Sequence, residues 1–473
     1  MIEFLPYDGV PVAVLGLGRS GTAAARALGR SGASVWAWDD EENARSRADR
    51  AGIPLVDLAR CDWRLPRALL LSPGVPHDHP HPHPVVELAR AESCEIICDV
   101  ELLGRARPEA SFVGITGTNG KSTTTALIAH ILSAAGHVLA VGGNLGTPAL
   151  ELAALERGAF YVLELSSFQL ELISTIVFDV AVLLNVSADH LERHGGMDGY
   201  VAAKRRIFAR QGDGAIAVVG VDDAHARSIY AELRAASLAR VIPVSADGKT
   251  ENGVFAADGL LFDATEGEAR AVLDLARAPA LPGRHNWQNA AAAWAAARAL
   301  GVEADVIAGA IESFPGLPHR QERLAVIDGV TFVNDSKATN ADAAAKALAS
   351  YEIIYWIAGG QPKEGGLGPA LTCLATVRHA FLIGEAADEF AEALSGRIGV
   401  TPSGDLETAV ADAHRMAVAE GAAGAVVLLS PACASYDQFA DFEDRGEAFR
   451  RAVSALEKGN DAQSPTKRAE RAS

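Results

Sequence analysis

The segment T-G-T-N-G-K-S-T at residues 116–123 holds the clearest arrangement of chemically useful residues in the sequence. It follows an apolar run at 112–115 and leads into a segment with helical spacing. Backbone N–H groups at such a helix start can cradle polyphosphate, Lys121 can reach its terminal oxygens, and the Ser122 hydroxyl can ligate Mg²⁺. Ile115 occupies the place of the first glycine in the general P-loop pattern. Because strand, loop and helix signals agree, the segment predicts a triphosphate site.

A second glycine-rich turn, G-L-G-R-S-G at residues 16–21, follows the first apolar run, and Asp39 ends the next one. Such glycines let the backbone approach a phosphate, and a carboxylate at that position can bind ribose hydroxyls. The pattern alone fits a dinucleotide, another nucleoside diphosphate, or glycines that serve only tight packing of a strand on a helix. These three interpretations stay open at this point.

Carboxylates for a magnesium ion are expected where neighbouring strands end. Glu164 lies near the end of the apolar run 161–165, and Asp189-His190 follow the run 180–186. The carboxyl ends of parallel strands face ligands, so these side chains are candidates for one metal site. Glu164 paired with an arginine, and His190 as a structural histidine, are the alternatives.

Two further segments have plainer interpretations. Lys204 lies in Y-V-A-A-K-R-R at 200–206, which is typical of a solvated helix face. The run H-D-H-P-H-P-H-P at 77–84 suggests a metal site, but alternating prolines favour an extended backbone on which successive histidines point apart. We interpret this run as an inert loop.

Two polar segments follow apolar runs in the last third of the chain. N-D-S-K-A-T-N at 334–340 supplies an acid, a base and hydroxyls to one turn, and S-P-A-C-A-S at 430–435 follows another run. Both positions are where Rossmann-like sheets bind ligands, although turn chemistry alone is the alternative for each.

The elements that must position these residues alternate between short apolar runs rich in Val, Ile and Leu and alanine-rich segments with helical spacing. This alternation predicts an α/β fold with parallel sheets. The pattern restarts after a polar linker at 105–109 and after F-P-G-L-P at 314–318. We predict Rossmann-like N-terminal and C-terminal domains flanking a central P-loop ATPase-type domain. The predicted boundaries are 1–105, 106–315 and 316–458, with a disordered tail at 459–473.

Composition excludes several classes of protein. The chain has 473 residues, of which 49% are apolar and 22% charged, as in an ordinary globular protein. Its net charge of -18 argues against non-specific binding to nucleic acid or anionic lipid. Five cysteines without C-x-x-C spacing favour a reducing compartment over a disulfide framework. We therefore expect a cytoplasmic protein with no signal peptide, membrane span or nucleic-acid partner.

From about Val12 to about Phe449 the sequence resembles the Mur ligase family. T-G-T-N-G-K-S-T marks the superfamily, and other motifs are similar to those of its D-glutamate-adding branch. These motifs are E-L-S-S-F-Q-L-E (164–171), G-R-H-N-x-x-N (283–289), L-P-H-R (317–320), N-D-S-K-A-T-N (334–340) and S-P-A-C-A-S (430–435). The resemblance implies an ATP-dependent amide ligase that joins D-glutamate to UDP-N-acetylmuramoyl-L-alanine through an acyl phosphate, in peptidoglycan precursor synthesis. We expect a monomer, although the sequence itself does not reveal the oligomeric state.

The resemblance also assigns site residues, and it replaces the dinucleotide by a UDP-linked substrate. The residues implied for that substrate are Gly18, Arg19, Ser20, Asp39, Ser72, Pro73, Gly74 and Asn144. Those implied for ATP are Gly117, Thr118, Asn119, Gly120, Lys121, Ser122, Thr123, Asn286, Asn289, Arg320 and Asp335. Those implied for D-glutamate are Lys337, Thr339, Lys363, Ser435, Tyr436 and Phe442.

The catalytic and metal-binding groups are implied in the same way. Lys121, Glu164, His190 and Lys204 match catalytic positions, and Ser122, Glu164, His190 and Lys204 match magnesium ligands, with Lys204 carbamylated. The sequence departs from the family in placing Pro362 before Lys363 and in the size of Tyr436.

Three other functions stay open. A Mur-type ligase with another acceptor differs only in its amino acid. A nicotinamide dehydrogenase is suggested by residues 16–21 with Asp39, but leaves the second glycine loop unexplained. A nucleotide-gated switch would hydrolyse nucleotide independently of any amino acid.

Overall fold

The computed structural model describes residues 7–463 except 145, 238 and 364, with the side chains of 459–463 left undescribed. The chain forms two compact units. The first unit comprises Met1–Ala278 and Asn286–Phe314, and the second comprises Pro279–His285 and Pro315–Ser473. The units divide between Phe314 and Pro315, one residue before the predicted boundary at 315/316, and the predicted boundary at 105/106 lies inside the first unit. Both boundaries stay predictions.

The N-terminal part of the first unit alternates strands and helices, as the apolar runs predict. Its elements are β1 (Pro11–Leu15), α1 (Arg19–Arg30), β2 (Ser34–Trp38), α2 (Glu42–Arg50), β3 (Ala68–Leu71), α3 (Pro84–Ala91), β4 (Glu95–Ile97) and α4 (Asp99–Ala106). The strands form a parallel sheet in the order β2-β1-β3-β4. Every residue of β3 is buried, as expected for a strand covered on both faces.

The rest of the first unit is built on a nine-stranded sheet. Its strands are β5 (Ser111–Thr116), β6 (Leu139–Gly143), β7 (Phe160–Glu164), β8 (Val180–Leu183), β9 (Ile216–Gly220), β10 (Arg240–Ser245), β11 (Val254–Ala257), β12 (Leu260–Asp263) and β13 (Arg270–Asp274). Its helices are α5 (Lys121–Ala134), α6 (Ser167–Glu171), α7 (Leu191–His194), α8 (Met197–Arg205), α9 (Ala224–Ala236), α10 (Arg284–Ala299) and α11 (Ala304–Ser313). Short 3₁₀ turns occur at Ala149–Glu151, Arg206–Phe208 and Leu275–Arg277.

The order of this sheet decides what lies at its edge. It runs β13-β12-β11-β10-β9-β8-β5-β7-β6, with parallel pairs from β6 to β11 and antiparallel pairs among β11, β12 and β13. Strand β5 therefore lies between β7 and β8. The loops after these three strands begin at one edge of the sheet, because neighbouring parallel strands end on the same side.

The second unit has a six-stranded sheet in the order β14-β15-β19-β16-β17-β18, with only β14 and β15 antiparallel. The strands are β14 (Glu322–Ile327), β15 (Val330–Asn334), β16 (Ile354–Gly359), β17 (Val377–Ile383), β18 (Gly399–Gly404) and β19 (Val426–Leu429). The helices are α12 (Ala341–Leu348), α13 (Ala387–Leu394), α14 (Leu406–Glu420) and α15 (Phe442–Gln463), with a 3₁₀ segment at Gly368–Thr376. Residues 459–463 are thus helical rather than disordered, and 464–473 lie outside the described residues.

The predicted α/β class with mainly parallel sheets is confirmed by these pairings. Hydrophobic clusters cover both faces of the four-stranded and the six-stranded sheet and one face of the nine-stranded sheet. Across the described residues, every helix is too short or too polar to cross a bilayer.

Candidate active site

The loop between β5 and α5 is shaped by its glycines and by its own lysine. Gly120 precedes α5 with a φ of +87°, and no side chain among the described residues caps this helix. The Lys121 ammonium group donates to the carbonyl oxygens of Gly117 and Thr118, at 2.9 Å each. The uncapped helix start and the ammonium charge both favour an anion at this loop, since they act in the same direction.

A polar network missed in the sequence fixes this loop. The Asn119 N–H donates to Asn185 Oδ1 at 2.9 Å, and Asn185 Nδ2 donates to the carbonyl oxygen of Asn119 at 3.1 Å. Asn185 Nδ2 also donates to Gln288 Oε1, and Gln288 Nε2 donates to Asp222 at 2.7 Å. The sequence feature that could have identified Asn185 is its position just after β8, at the same edge of the sheet.

Glu164 ends β7 with only 2% of its surface exposed. Its Oε1 accepts a 2.8 Å hydrogen bond from Asn144, whereas its buried Oε2 has no hydrogen-bond partner among the described residues. A buried carboxylate oxygen without a donor is costly, and a divalent cation would satisfy it. This atom fits the predicted magnesium site, and among the described residues no arginine is paired with Glu164.

Lys204 corrects the interpretation as a solvated helix face, because it is only 1% exposed. Its ammonium group donates to the carbonyl oxygen of Gly117 at 2.8 Å and lies 3.5 Å from Thr116 Oγ1. The same nitrogen lies 4.7 Å from the centroid of the Tyr200 ring. The side chain therefore reaches into the loop that precedes Lys121.

The charge of Lys204 is disfavoured where it lies. Burial first, and then the positive charge of Lys121, lower the pKa of Lys204 well below the ordinary value of a lysine. Asp189 and Glu164 act in the opposite direction but do not prevail. Lys204 therefore has a neutral, nucleophilic amine available at a lower pH than a surface lysine.

The side chain of His190 is more exposed than those of Glu164 and Lys204. Its side chain is 56% exposed, and Nε2 lies 3.6 Å from Asp189 Oδ2. The ring contacts that of Phe168 at 5.3 Å between centroids. In the described part of the chain, no three His, Cys, Asp or Glu side chains converge as a metal site. The structure thus brings Glu164 and Lys204 close to the glycine loop, whereas the described contacts of His190 are with Asp189 and Phe168.

The first glycine turn is held by Asp39 and Ser72. Asp39 accepts from the N–H groups of Leu17 at 2.5 Å and Glu41 at 2.9 Å, one on each oxygen. Ser72 Oγ donates to the carbonyl oxygen of Gly16 at 2.8 Å. A side chain on Gly21 would place Cβ 1.7 Å from that same carbonyl oxygen, so this close approach requires glycine.

A cavity of about 740 Å³ opens beside this turn within the first unit. Three arginines and one glutamate are among the residues that line it: Gly18, Arg19, Thr22, Arg26, Arg47, Gly146 and Glu151. Arg19 also donates to the carbonyl oxygen of Gly146. Of the predicted UDP-substrate residues, Gly18 and Arg19 thus lie in a cationic cavity, and Asp39 and Ser72 support its wall.

The two predicted adenine-site asparagines touch each other. Asn289 Nδ2 donates to Asn286 Oδ1 at 2.9 Å, and both residues are buried on α10. Asn289 Oδ1 lies so close to Gly120 that a Cβ there would be 2.3 Å away. Asn289 therefore borders the glycine loop directly, and Asn286 contacts Asn289.

In the second unit, Asp335 joins two loops. Its Oδ2 accepts from Ser430 Oγ at 2.8 Å and its Oδ1 from the Gln321 N–H at 3.1 Å. Burial raises the pKa of Asp335 to about 7, and the hydrogen bonds and Arg320 only partly oppose this. Arg320 has a buried Nε without a hydrogen-bond partner among the described residues.

The predicted D-glutamate residues lie at the loops after β15, β16 and β19 and at the start of α15. Lys337 lies with its ammonium nitrogen 5.5 Å from the centroid of the Phe442 ring. Ser435 is buried, whereas Tyr436 is 69% exposed and Lys363 is also exposed. The larger Tyr436 side chain therefore points to solvent and does not pack into the core.

The histidine-proline run makes contacts with the segment 167–194. His77 Nε2 lies 2.8 Å from Glu171 Oε2, and His194 Nδ1 lies 2.7 Å from Glu171 Oε1. His83 instead caps α3 by accepting from the Val85 N–H. Burial alone would raise the pKa of Glu171, but hydrogen bonds with His194 and His77 outweigh it and hold the pKa at about 2.

Comparison with known proteins decides the family. The profile of the Mur ligase middle domain matches residues 115–297, and that of the Mur ligase glutamate ligase domain matches 319–433. A protein of Phenylobacterium zucineum named UDP-N-acetylmuramoylalanine–D-glutamate ligase is 54% identical, over 97% of this chain and 99% of its own.

The chain belongs to the Mur ligase family.

Other Mur ligases agree in sequence and in fold. A Rhodospirillum rubrum protein with the same name as the Phenylobacterium protein is 51% identical over 96% of this chain and 97% of its own. The solved structure of UDP-N-acetylmuramate-alanine ligase MurC from Thermotoga maritima superposes with a TM-score of 0.59 at 19% identity, covering 94% of this chain and all of that one. At that identity the likeness concerns the fold alone. The predicted membership of the Mur ligase family is thereby confirmed.

Proposed function

We propose that this Mur ligase joins D-glutamate to UDP-N-acetylmuramoyl-L-alanine and converts ATP to ADP and phosphate. The names of its close relatives support the choice of substrates. The observation that carries the proposal is the buried Glu164, whose Oε2 lacks a hydrogen-bond partner among the described residues, at the sheet edge that also bears the glycine loop.

ATP is proposed to bind along residues 117–123, with its phosphates at the start of α5. Lys121 would exchange its contacts with the loop carbonyl groups for phosphate oxygens. Asn289 borders the same loop and contacts Asn286, and both suit an adenine base, since amides both donate and accept hydrogen bonds. Arg320 and Asp335 are the nucleotide-binding residues proposed in the second unit. These placements support a P-loop assignment for residues 106–315.

Magnesium would be held by Ser122, Glu164, His190 and Lys204. When bound, it supplies positive charge that screens the phosphate oxygens from an approaching carboxylate. Lys204 would be a suitable ligand only as a carbamate, because its ammonium form has no lone pair and Mg²⁺ prefers oxygen ligands to the nitrogen of its neutral amine. Its neutral amine would attack the carbon of CO₂, forming an N–C bond, and lose one proton. The product carries a negative charge and two oxygen donors, and the lowered pKa favours this step.

The reaction then needs two transfers. The L-alanyl carboxylate oxygen attacks the γ-phosphorus, the bond to the β-phosphate oxygen breaks, and an acyl phosphate forms with ADP. Lys121 offsets the repulsion between the two anions. The D-glutamate amine, after losing a proton, attacks the acyl carbon, and phosphate leaves from the tetrahedral intermediate.

The UDP-linked substrate is proposed to bind in the cationic cavity beside residues 16–21, with Ser20, residues 72–74 and Asn144 as further contacts. We assign the predicted Rossmann-like fold to residues 1–105, which hold the proposed UDP site, and to residues 316–458. D-Glutamate is assigned to Lys337, Thr339, Lys363, Ser435, Tyr436 and Phe442. We infer a monomer in the cytoplasm, where ATP and UDP-linked precursors are available.

The test is phosphate release with ATP and Mg²⁺, with the UDP-sugar and D-glutamate supplied separately and together. Both are expected to be required. Release with L-glutamate or a diamino acid in place of D-glutamate would favour the ligase with another acceptor, and release with neither substrate would favour the nucleotide switch. Binding of NAD would favour the interpretation as a nicotinamide dehydrogenase. Lys121→Ala is the control that abolishes turnover without changing the acceptor.

A further inference from the structure

Arg445 is a fully buried cation in the first turn of α15. Positive charge in a first turn opposes the helix dipole, and burial of a guanidinium group costs free energy. Burial lowers the pKa of Arg445 to about 10. Arg445 therefore stabilises neither the helix nor the hydrophobic core. Its hydrogen bonds must explain why it is buried here.

The guanidinium group spans two loops that follow the neighbouring strands β15 and β19. It donates from Nε to Ser336 Oγ at 3.0 Å and from Nη2 to the carbonyl oxygen of Ser336 at 2.9 Å. It also donates to the carbonyl oxygens of Ala434 and Cys433, at 3.1 Å each. The Ser336 hydroxyl in turn donates to the carbonyl oxygen of Phe442 at 2.8 Å.

A third loop is tied to the same group. The carbonyl oxygen of Ala434 accepts from Arg445 and also from the Gln361 N–H at 3.0 Å. A Cβ on Gly360 would lie 3.0 Å from Arg445 Nη1, so this loop packs directly on the guanidinium. The planar fork of an arginine suits such divergent acceptors, and an ammonium group does not.

The charge of Arg445 is not neutralised by direct contact. Among the described residues, no carboxylate lies within ion-pair distance of it, and all its acceptors are carbonyl or hydroxyl oxygens. The negative charge of Asp437 acts on Arg445 from a distance. Asp437 Oδ2 itself accepts a hydrogen bond from the Glu385 N–H. The loops around Arg445 are therefore an environment that favours an anionic ligand.

Each of these loops carries residues proposed above for the amino acid: Lys337 follows Ser336, Ser435 follows Ala434, and Lys363 lies beyond Gln361. We infer that Arg445 is a positioning residue that fixes the spacing of these three loops, and that its charge favours a dicarboxylic amino acid over a neutral one. The inference rests on the proposed function, because it assumes that these loops receive the amino acid.

The experiment uses the full chain and compares Arg445→Lys and Arg445→Met with the wild type. We expect KM for D-glutamate to rise about tenfold in Arg445→Lys, which keeps the charge, and about a hundredfold in Arg445→Met. KM for the UDP-sugar should change by less than about twofold, because its proposed cavity lies in the first unit. KM for ATP should rise less than KM for D-glutamate, because most of the residues assigned to ATP lie in the first unit, although Asp335 precedes Ser336. The preference for D-glutamate over D-glutamine should narrow in Arg445→Met only.

The matched control is Arg451→Met, an exposed arginine on the same helix, which should match the wild type. If Arg445→Met does not fold, Arg445→Lys and Ser336→Ala decide, the latter removing one acceptor with an expected rise in D-glutamate KM of about threefold. The inference is overturned if KM for D-glutamate is unchanged, or if all three KM values rise together with loss of thermal stability. If the wild type uses another amino acid, the proposed function fails first, and the same variants are measured with that amino acid.

Discussion

The ammonium nitrogen of Lys204 lies 2.8 Å from the carbonyl oxygen of Gly117, inside the loop that Lys121 also holds. Two lysines thus donate to one carbonyl group. Since the two positive charges repel each other, the arrangement is stable with a neutral Lys204 or with an anion between them. This pair supports both proposals, the carbamylation of Lys204 and the binding of phosphate beside Lys121.

Lys204→Met is expected to lose activity without losing stability. The variant removes a buried group whose charged form is disfavoured, so the thermal midpoint should equal or exceed that of the wild type. Ligase activity should fall by about a hundredfold or more, because a ligand and its charge are lost. Thermal unfolding and phosphate release on the same sample test this. Wild-type activity should also fall when bicarbonate is removed and return when it is restored; indifference to bicarbonate would contradict carbamylation.

Glu164→Gln keeps the size of the side chain and its contact with Asn144 but removes the charge. We expect the Mg²⁺ concentration for half-maximal activity to rise about tenfold, and the rate to fall about a hundredfold. A magnesium titration of phosphate release is the measurement, with Glu156→Gln, an exposed carboxylate, as the control. An unchanged magnesium requirement would remove Glu164 from the metal site.

Asp335 predicts a pH-dependent stability for the second unit. Its pKa of about 7 exceeds that of an unfolded aspartate, so the folded state binds more protons between about pH 4 and pH 7. This group therefore lowers stability as the pH rises through that window. Asp335→Asn should flatten the decline, by roughly 5 °C in the thermal midpoint between pH 5 and pH 8. Parallel pH curves for the two proteins would show that Asp335 is ionised throughout.

Glu171→Gln should destabilise the first unit by about 2 kcal/mol, because a partly buried carboxylate loses its charge beside His77 and His194. The folded-state pKa of Glu171 is about 2, below its unfolded value, so its stabilisation is present above about pH 4.5 and lost as the pH falls toward 2. Denaturant unfolding at pH 7 and pH 3 measures both effects. Glu87→Gln, on an exposed face of α3, should leave the curves unchanged.

The sequence predicted those features that depend on local pattern. Apolar runs such as 112–115 and 353–357 became buried strands, and the glycines of 116–123 formed the turn before α5, because chain order and backbone geometry fix both. Lys204 could not be placed in this way, since its helix face is buried by what packs on it. Only the family resemblance singled it out.

Arg445 and Asp39 illustrate the other limit. Arg445 looks like one more charge on a polar helix, and its role depends on acceptors 11 to 109 residues away in the chain. Asp39 is predicted to contact ligand, and the structure adds a second role that the sequence did not indicate, because its two oxygens hold the backbone of Leu17 and Glu41. Long-range partners of polar groups are invisible in a single sequence.

The chain of hydrogen bonds from Asn119 through Asn185 to Gln288 joins the two ends of the proposed nucleotide site. Gln288 lies on α10 between the asparagines assigned to the base, while Asn119 belongs to the loop assigned to the phosphates. A purine that binds poorly against α10 would therefore also displace the loop that binds the phosphates. GTP would then have a lower kcat as well as a higher KM than ATP. The enzyme would thus select its nucleotide at the chemical step as well as in binding.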